Sequence, residues 1–479
     1  MVPSIYGILV LLLALTVSAN GMVYLAIIAT LFGATAAAYA TALGGANITP
    51  AVMVQLFVAW RALRNEGILG VLKPMGFLKP GFWLLLVTIW GAASAVLLPR
   101  FFRGQFMVYS TDRDSGLSGL FPIGPVSLNA TQGMYAALGL FAFVAMSVTL
   151  QKVGSRQLLA KAILWLAGLN VVAALLDLAQ YHLGMPPVLP YLKNATYNLL
   201  GGEVAGLMRI TGTFPETSAF SQFTLTLLAF THTLWINKVY TRWAAVLTVL
   251  NLTLLMISTS GTAYVGLGVC FAMAFAFAIW YFMRHGDMGK YSLYIWLAVL
   301  GVIGGMAVLL FVPSAMDAVT DYFNVVIGKK ITSESGITRF SMNARALDNF
   351  VDSFGLGTGL GTNRASSFAL VLLSNLGWVG TVFFALFTWS VLMGKGRSAL
   401  PDLDASVVLA ARHAVLANLV AACISASNYD LGVMFYILAA AAVVPYQTQS
   451  LGTARSSNED VGSSGDGRFQ NRRQVTALS

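Results

Sequence analysis

Arginine suits a phosphate-type anion because its guanidinium is planar, offers paired donors and keeps its charge. Two stretches of this chain set arginines beside small and hydroxyl residues. The first is Arg209-Ile-Thr-Gly-Thr-Phe-Pro-Glu216-Thr-Ser-Ala-Phe-Ser221. Pro215 suits the first turn of a following helix, and an acidic residue beside it complements the helix dipole. Arg209 would stand where a guanidinium and a helix N-terminus can share one anion. Glu216 is either that dipole partner or a proton acceptor. Arg209 is either an anion ligand or an interfacial arginine with its stem along apolar surface.

The second stretch runs from Gly336 through Arg339, Arg345, Asp348 and Asp352 and has helical character. Arg345 and Asp348 are three apart, so they can share a helix face. It then breaks into Phe354-Gly-Leu-Gly357-Thr-Gly359-Leu-Gly361-Thr-Asn363-Arg364. Glycines at alternate positions open backbone conformations closed to other residues and let a ligand approach the main chain; the same run can be only a turn before the next helix. No Gly-Lys-Ser/Thr follows, which excludes a Walker-type phosphate loop. A third polar feature is Ser258-Thr-Ser-Gly-Thr-Ala-Tyr264, a tight turn between two apolar runs. Substrate-binding candidates are Arg345, Asp348, Gly357, Gly359, Asn363, Arg364 and Tyr264. Arg209, Arg339 and Glu216 are the catalytic candidates, with Glu334, Asp348 and Asp352 as further acidic groups.

The elements that must position these residues are membrane helices. Of the 479 residues, 57% are apolar and 10% charged, and the mean hydropathy is +0.76. Soluble domains carry about 25% charged residues, so this composition describes an all-α polytopic membrane protein. Disordered, collagenous and disulfide-stapled classes are excluded. Cys270 and Cys423 sit in apolar runs and read as small buried hydrophobes. The four histidines show no metal-ligand spacing, and no metal or cofactor is expected. The net charge of +10 fits basic cytoplasmic loops better than a nucleic-acid partner.

About 12 transmembrane helices are expected: 4–19, 21–43, 81–99, 134–151, 159–180, 215–237, 243–259, 262–283, 292–312, 366–393, 405–426 and 430–446. The segment 50–63 reads as an interfacial amphipathic helix, or as one more span. The loops bearing Lys152/Arg156/Lys161, Lys238/Arg242, Arg284/Lys290 and Lys395/Arg397 are separated by even numbers of spans. The positive-inside rule puts them, and both termini, in the cytoplasm. Three long segments then face outward: 100–133, 181–214 and 313–365. The last is the large extracytoplasmic loop, between the tenth and eleventh apolar helices when 50–63 is counted. Residues 1–446 form a single transmembrane domain, and 447–479 a disordered cytoplasmic tail.

From about residue 120 to 450 the chain resembles the bacterial O-antigen ligase and O-antigen polymerase (Wzy-like) superfamily. The resemblance rests on Arg209-x-x-Gly-x-Phe214 before a span, the Ser/Thr turn 258–262, Arg339 ahead of a glycine run in a large outward loop, and Leu373-Ser-Asn-Leu-Gly377-Trp-Val-Gly380. It implies a metal-independent, inverting glycosyltransferase with no cofactor, acting at the outer face of the bacterial inner membrane. Its donor would be a glycan on undecaprenyl pyrophosphate, its acceptor another glycan, and the loop 313–365 would cap the active site. Arg209 and Arg339 match the family's functional arginines. Implied partners are the bilayer and a chain-length regulator and flippase of the same pathway. Ligases carry a histidine after the glycine run, and often an arginine in the Ser/Thr turn; Asn363-Arg-Ala-Ser-Ser367 and Gly261-Thr262 stand there instead. Both departures favour polymerisation of oligosaccharide repeat units into exopolysaccharide, capsule or O-antigen. The alternatives are a ligase passing the finished glycan to a lipid or protein, a lipid-linked oligosaccharide flippase or other transporter, and a non-enzymatic partner in envelope assembly. A transporter would carry mid-membrane charges and inverted repeats; the sequence displays no such repeat.

Overall fold

The structure is a computed structural model that describes residues 2–40, 46–111, 118–195, 203–204, 207–286, 289, 292–311, 334–395 and 400–443. The tail 447–479, residues 313–333 of the long loop and the side chains of Glu203 and Glu334 lie outside the described residues.

The helices are α1 (Ile5–Thr16), α2 (Ala19–Ile28), α3 (Pro50–Leu72), α4 (Pro80–Phe101), α5 (Ser127–Thr149), α6 (Ser155–His182), α7 (Leu189–Leu192), α8 (Thr217–Ile236), α9 (Thr241–Ile257), α10 (Gly261–His285), α11 (Ser292–Phe311), α12 (Glu334–Asp352), α13 (Phe368–Leu392), α14 (Asp402–Ser425) and α15 (Val433–Ala442). Six described helices (α4, α5, α6, α10, α13 and α14) are long and apolar enough to cross a membrane, and α1, α2, α9, α11 and α15 are shorter apolar helices. The chain is a helical membrane protein.

The helix α8 is not among the six, yet it sits at the centre. Its Thr217, Ser218, Ser221, Thr224, Thr226, Thr231 and Thr233 are all buried. Each hydroxyl can return a hydrogen bond to its own helix, as Thr226 Oγ1 does to Gln222 O at 2.7 Å. Others reach sideways. Asn170 of α6 donates to Thr224 Oγ1 and to Asn251 Oδ1 of α9. Gln222 donates to Asn418 of α14, which donates to Thr226. Such bonds hold apolar helices together where lipid removes the hydrophobic drive.

Three short sheets lie at one end of the bundle. β1 (Val2–Pro3), β2 (Ala38–Ala40) and β3 (Ala46–Ile48) form an antiparallel sheet with Val2 opposite Tyr39 and Tyr39 opposite Asn47. β4 (Met107–Thr111) pairs with β5 (Ser118–Pro122), and β6 (Glu203–Val204) with β7 (Leu207–Met208). This end also holds the Arg209 stretch, because Ala34 N donates to Thr213 O at 3.0 Å. The N-terminal strand therefore shares the end of Arg209, whereas a cytoplasmic N-terminus had been expected at the opposite end. The helix α3 runs from the β sheet past the α1–α2 junction, where Arg61 donates to Val17 O at 2.7 Å, and its helical backbone is interrupted at Gly67, φ 65°.

Candidate functional site

Four elements converge at the end that holds the sheets. Glu216 is the residue before α8, with extended backbone, and its carboxylate accepts from Ser218 Oγ rather than capping a backbone N–H. On α10, Gly266 faces Leu225 of α8 and Ile424 of α14. The first turn of α10 is therefore level with the start of α8 and the end of α14. From the end of α14, Ser427 meets Arg364 at 3.4 Å. Arg209 follows β7 and is half-buried.

Electrostatics ties the charged groups together. Burial pushes the Arg209 guanidinium below its ordinary pKa; Glu216 opposes that shift and Arg339 adds to it. Burial does the same to Arg364, again opposed by Glu216. The field of Glu216 therefore reaches two guanidiniums, and that of Arg339 reaches Arg209. Three arginines against one glutamate leave the cluster net positive. Among the described residues, the buried Nε of Arg209 has no hydrogen-bond partner, and an unmet buried donor of this kind costs about 1–3 kcal/mol. A net positive, partly buried cluster of this kind has the charge to attract an anion.

The loop that carries Arg209 is held by a residue of low prominence in the sequence. Asp177, buried near the end of α6, accepts through one oxygen, Oδ2, from Thr211 N at 2.8 Å, Gly212 N at 2.9 Å and Thr211 Oγ1 at 3.1 Å. Lys193 donates to Thr211 Oγ1 at 2.7 Å, its ammonium pKa lowered by burial and partly restored by Asp177. Thr213 Oγ1 donates to Leu31 O. Phe214 packs so closely that a Cβ on Gly33 would lie 2.5 Å from its ring. Asp177 lies 32 residues upstream of Arg209 and gives no local signal.

The other expected site residues take different places. Arg339 is exposed on α12. Arg345 is committed to the protein: Nε donates to Met107 O at 2.8 Å, and the head pairs with Asp348 at 3.7 Å and Asp352 at 3.4 Å. Asp348 thus shares a face with Arg345 as its spacing implies, in a strut between α12 and β4. The glycines do not line an open cradle. Gly357, Gly359 and Gly361 have φ of 88°, 97° and 84°, and an added Cβ would lie 2.6 Å from Asn375 O, 2.7 Å from Ser94 O and 2.6 Å from Leu128 O respectively. They are small because protein backbone, not ligand, approaches them. Asn363 is equally occupied: Nδ2 donates to Ser374 Oγ, Oδ1 accepts from Tyr109 N, and O accepts from Asn375 Nδ2. Arg364 alone from this run belongs to the charged cluster.

The Ser/Thr turn is buried rather than a surface hairpin, with Ser258 and Ser260 almost fully covered. Thr259 has φ 53°, an uncommon conformation for a β-branched residue that costs on the order of 1–2 kcal/mol. Its Oγ1 donates to Ser258 O. Tyr264 donates from its hydroxyl to Met256 O at 3.0 Å, folding back on α9.

The loop 426–432 was not anticipated. Besides Ser427 it carries Asp430, which is exposed and accepts from Gly432 N at 2.9 Å. No group of three or more His, Cys, Asp or Glu side chains suited to a metal occurs among the described residues. Compared with known proteins, the chain matches no protein family and no curated relative.

Proposed function

We propose that this protein is a membrane glycosyltransferase that polymerises oligosaccharide repeat units carried on undecaprenyl pyrophosphate, at the outer face of a bacterial inner membrane. The observation that carries the reading is the Glu216-centred arginine pair at the head of α8, with the buried Nε of Arg209 unmet. A net positive site beside a helix N-terminus suits a pyrophosphate.

In the proposed reaction an acceptor hydroxyl attacks the anomeric carbon of the donor. The bond from that carbon to the pyrophosphate oxygen breaks, and the leaving pyrophosphate takes the bonding electrons. Arg209, Arg339 and Arg364 stabilise the charge as it forms, which is usually the largest catalytic contribution. The hydroxyl proton passes to Glu216, or to Asp430 from the facing loop. No sugar–metal contact is needed. The resemblance in motif order supports this reading, and the absence of a histidine after the glycine run favours polymerase over ligase.

The test is analysis of lipid-linked glycans in cells lacking the protein. Single repeat units accumulating on undecaprenyl pyrophosphate, without long polymer, support polymerisation. Long polymer stranded on its lipid carrier supports the ligase alternative instead. Repeat units trapped on the cytoplasmic face hand the case to a flippase.

A further inference from the structure

The helix α12 has three faces. Met342, Ala346, Asn349 and Ser353 are buried against the protein. Arg345, Asp348 and Asp352 form a charged face. The third face is Ile337, Phe340, Ala344, Leu347 and Val351, spaced by three and four residues and exposed throughout, with Val351 at 71% and Phe354, just past the helix end, at 85%. A helix set wholly in water would gain nothing from that stripe.

Two hydrogen bonds fix where α12 lies. Near its middle, Asn343 Oδ1 accepts from Ser366 N at 2.7 Å. Just past its end, Gly355 O accepts from Trp378 N at 2.9 Å. Residues 343 to 355 therefore run beside 366 to 378, in the same direction, and the second of these is the opening of the membrane-crossing helix α13. At 1.5 Å per residue, α13 descends about 12 Å from Phe368 to Leu376, where the non-helical backbone of Gly377, φ 63°, breaks it. The stretch that returns from α12 to α13 is irregular, yet its backbone is paired with protein. Gly357 N donates to Ser353 Oγ, Thr358 N to Ser374 O, Gly359 N to Asn375 O and Asn363 N to Asn375 Oδ1. It passes against Ser94 of α4 and Leu128 of α5. Irregular backbone is tolerated at membrane depth only when protein satisfies it in this way.

We propose that α12 and its glycine return form a re-entrant element, and that the apolar stripe faces the acyl chains of the adjacent leaflet. The stripe is continuous with the membrane face of α13, where Trp378 is exposed beside Gly355. Arg339 lies between the stripe and the buried face near the start of the descending helix, which in this placement is headgroup level, where a guanidinium on an apolar stem is at home. The arginine cluster then opens sideways onto the headgroup layer. This placement is independent of the enzymatic reading.

The test uses the full-length protein in phospholipid vesicles, with Cys270 and Cys423 replaced by serine and one fluorescent label per variant. Labels go on Leu347→Cys and Val351→Cys in the stripe, Ser341→Cys and Asp348→Cys on the charged face, and Arg339→Cys. All five side chains lie outside the buried face, so the fold has little at stake, and two positions per face guard against a single misfolded variant. The stripe labels are expected to be quenched at least twofold by acyl-chain nitroxide lipids and little by aqueous iodide. The charged-face labels should show the reverse, and position 339 should respond most to a headgroup nitroxide. Iodide quenching of the stripe as strong as that of the charged face would overturn the proposal. So would quenching of the stripe by neither agent, which would mean that protein covers it.

Discussion

Arginines at the two ends of the bundle are used in opposite ways. At the end away from the sheets they close helix termini. Arg156 is buried and donates to Leu150 O at 2.9 Å and Val443 O at 2.8 Å, the C-cap residues of α5 and α15. Arg412 donates to Ala442 O and Gly394 O, and Arg61 to three carbonyls at the α1–α2 junction. These are carbonyls that a helix end leaves unmet, and the donors that meet them have little left for a ligand. Arg156 leaves only its Nε unmet, because both of its terminal nitrogens donate to carbonyls. At the sheet end Arg209 is also desolvated with its Nε unmet, but among the described residues its head closes no helix end, and it shares the field of Glu216 with Arg364. The same residue type is thus a fastener at one end and, in the proposed reading, an anion receptor at the other. Arg345 is a fastener that happens to lie near the receptor.

The comparison predicts a crossed pattern of stability and binding, with inorganic pyrophosphate as the probe and the purified full-length protein in detergent. Arg209→Ala has the largest expected effect on binding, about 2–3 kcal/mol or roughly 30- to 150-fold, because it removes a partly desolvated charge partner. Lysine should restore only part, since the fork is lost. Arg156→Ala should reverse the pattern: affinity unchanged, but thermal stability lowered by about 2–4 kcal/mol as buried carbonyls lose a charged donor. An affinity loss in Arg156→Ala larger than in Arg209→Ala would break the comparison.

Asp177→Ala is expected to weaken pyrophosphate about tenfold, roughly 1.4 kcal/mol, by releasing the Arg209 loop. Asp177→Asn keeps an oxygen where Oδ2 accepts its three hydrogen bonds, so it should retain most of the affinity. Were charge the only role of Asp177, both variants would bind the anion more tightly than wild type. Arg345→Ala should cost less than about 1 kcal/mol in stability, as exposed ion pairs do, with affinity within about twofold. The smallest effect concerns Lys193. Its lowered pKa means that its charge is lost earlier than an ordinary lysine's as pH rises, so pyrophosphate affinity should fall on going from neutral to alkaline pH. A cation about 10 Å away in water is worth about 0.4 kcal/mol, a twofold change. Lys193→Met should flatten that slope.

Much of this was legible in the chain because its signals are local. Apolar runs marked the helices, and Pro215 with Glu216 marked the start of α8. Arg345 and Asp348 announced their pairing through spacing. The parts that were not legible depend on distant partners. Asp177 acts on residues 34 and 35 positions away, and Ser427 on Arg364 across 63. The alternating glycines signal close approach, but the sequence does not say to what; in the folded chain it is Ser94, Leu128 and Asn375 backbone. The extent of α3 was obscured because Arg61 and Arg64 interrupt its apolar run. Arg61 sits there because its head reaches the carbonyls between α1 and α2. The central helix α8 reads as less apolar than its neighbours for a related reason: its hydroxyls bond to other helices inside the bundle, so its polarity marks the core rather than the surface.

The most direct test is a calorimetric titration of inorganic pyrophosphate into wild-type protein, Arg209→Ala and Arg156→Ala. The account predicts saturable binding to wild type and to Arg156→Ala with similar affinity, and at least a 30-fold weaker interaction with Arg209→Ala. No saturable binding to wild type, or equal binding to wild type and Arg209→Ala, would contradict it.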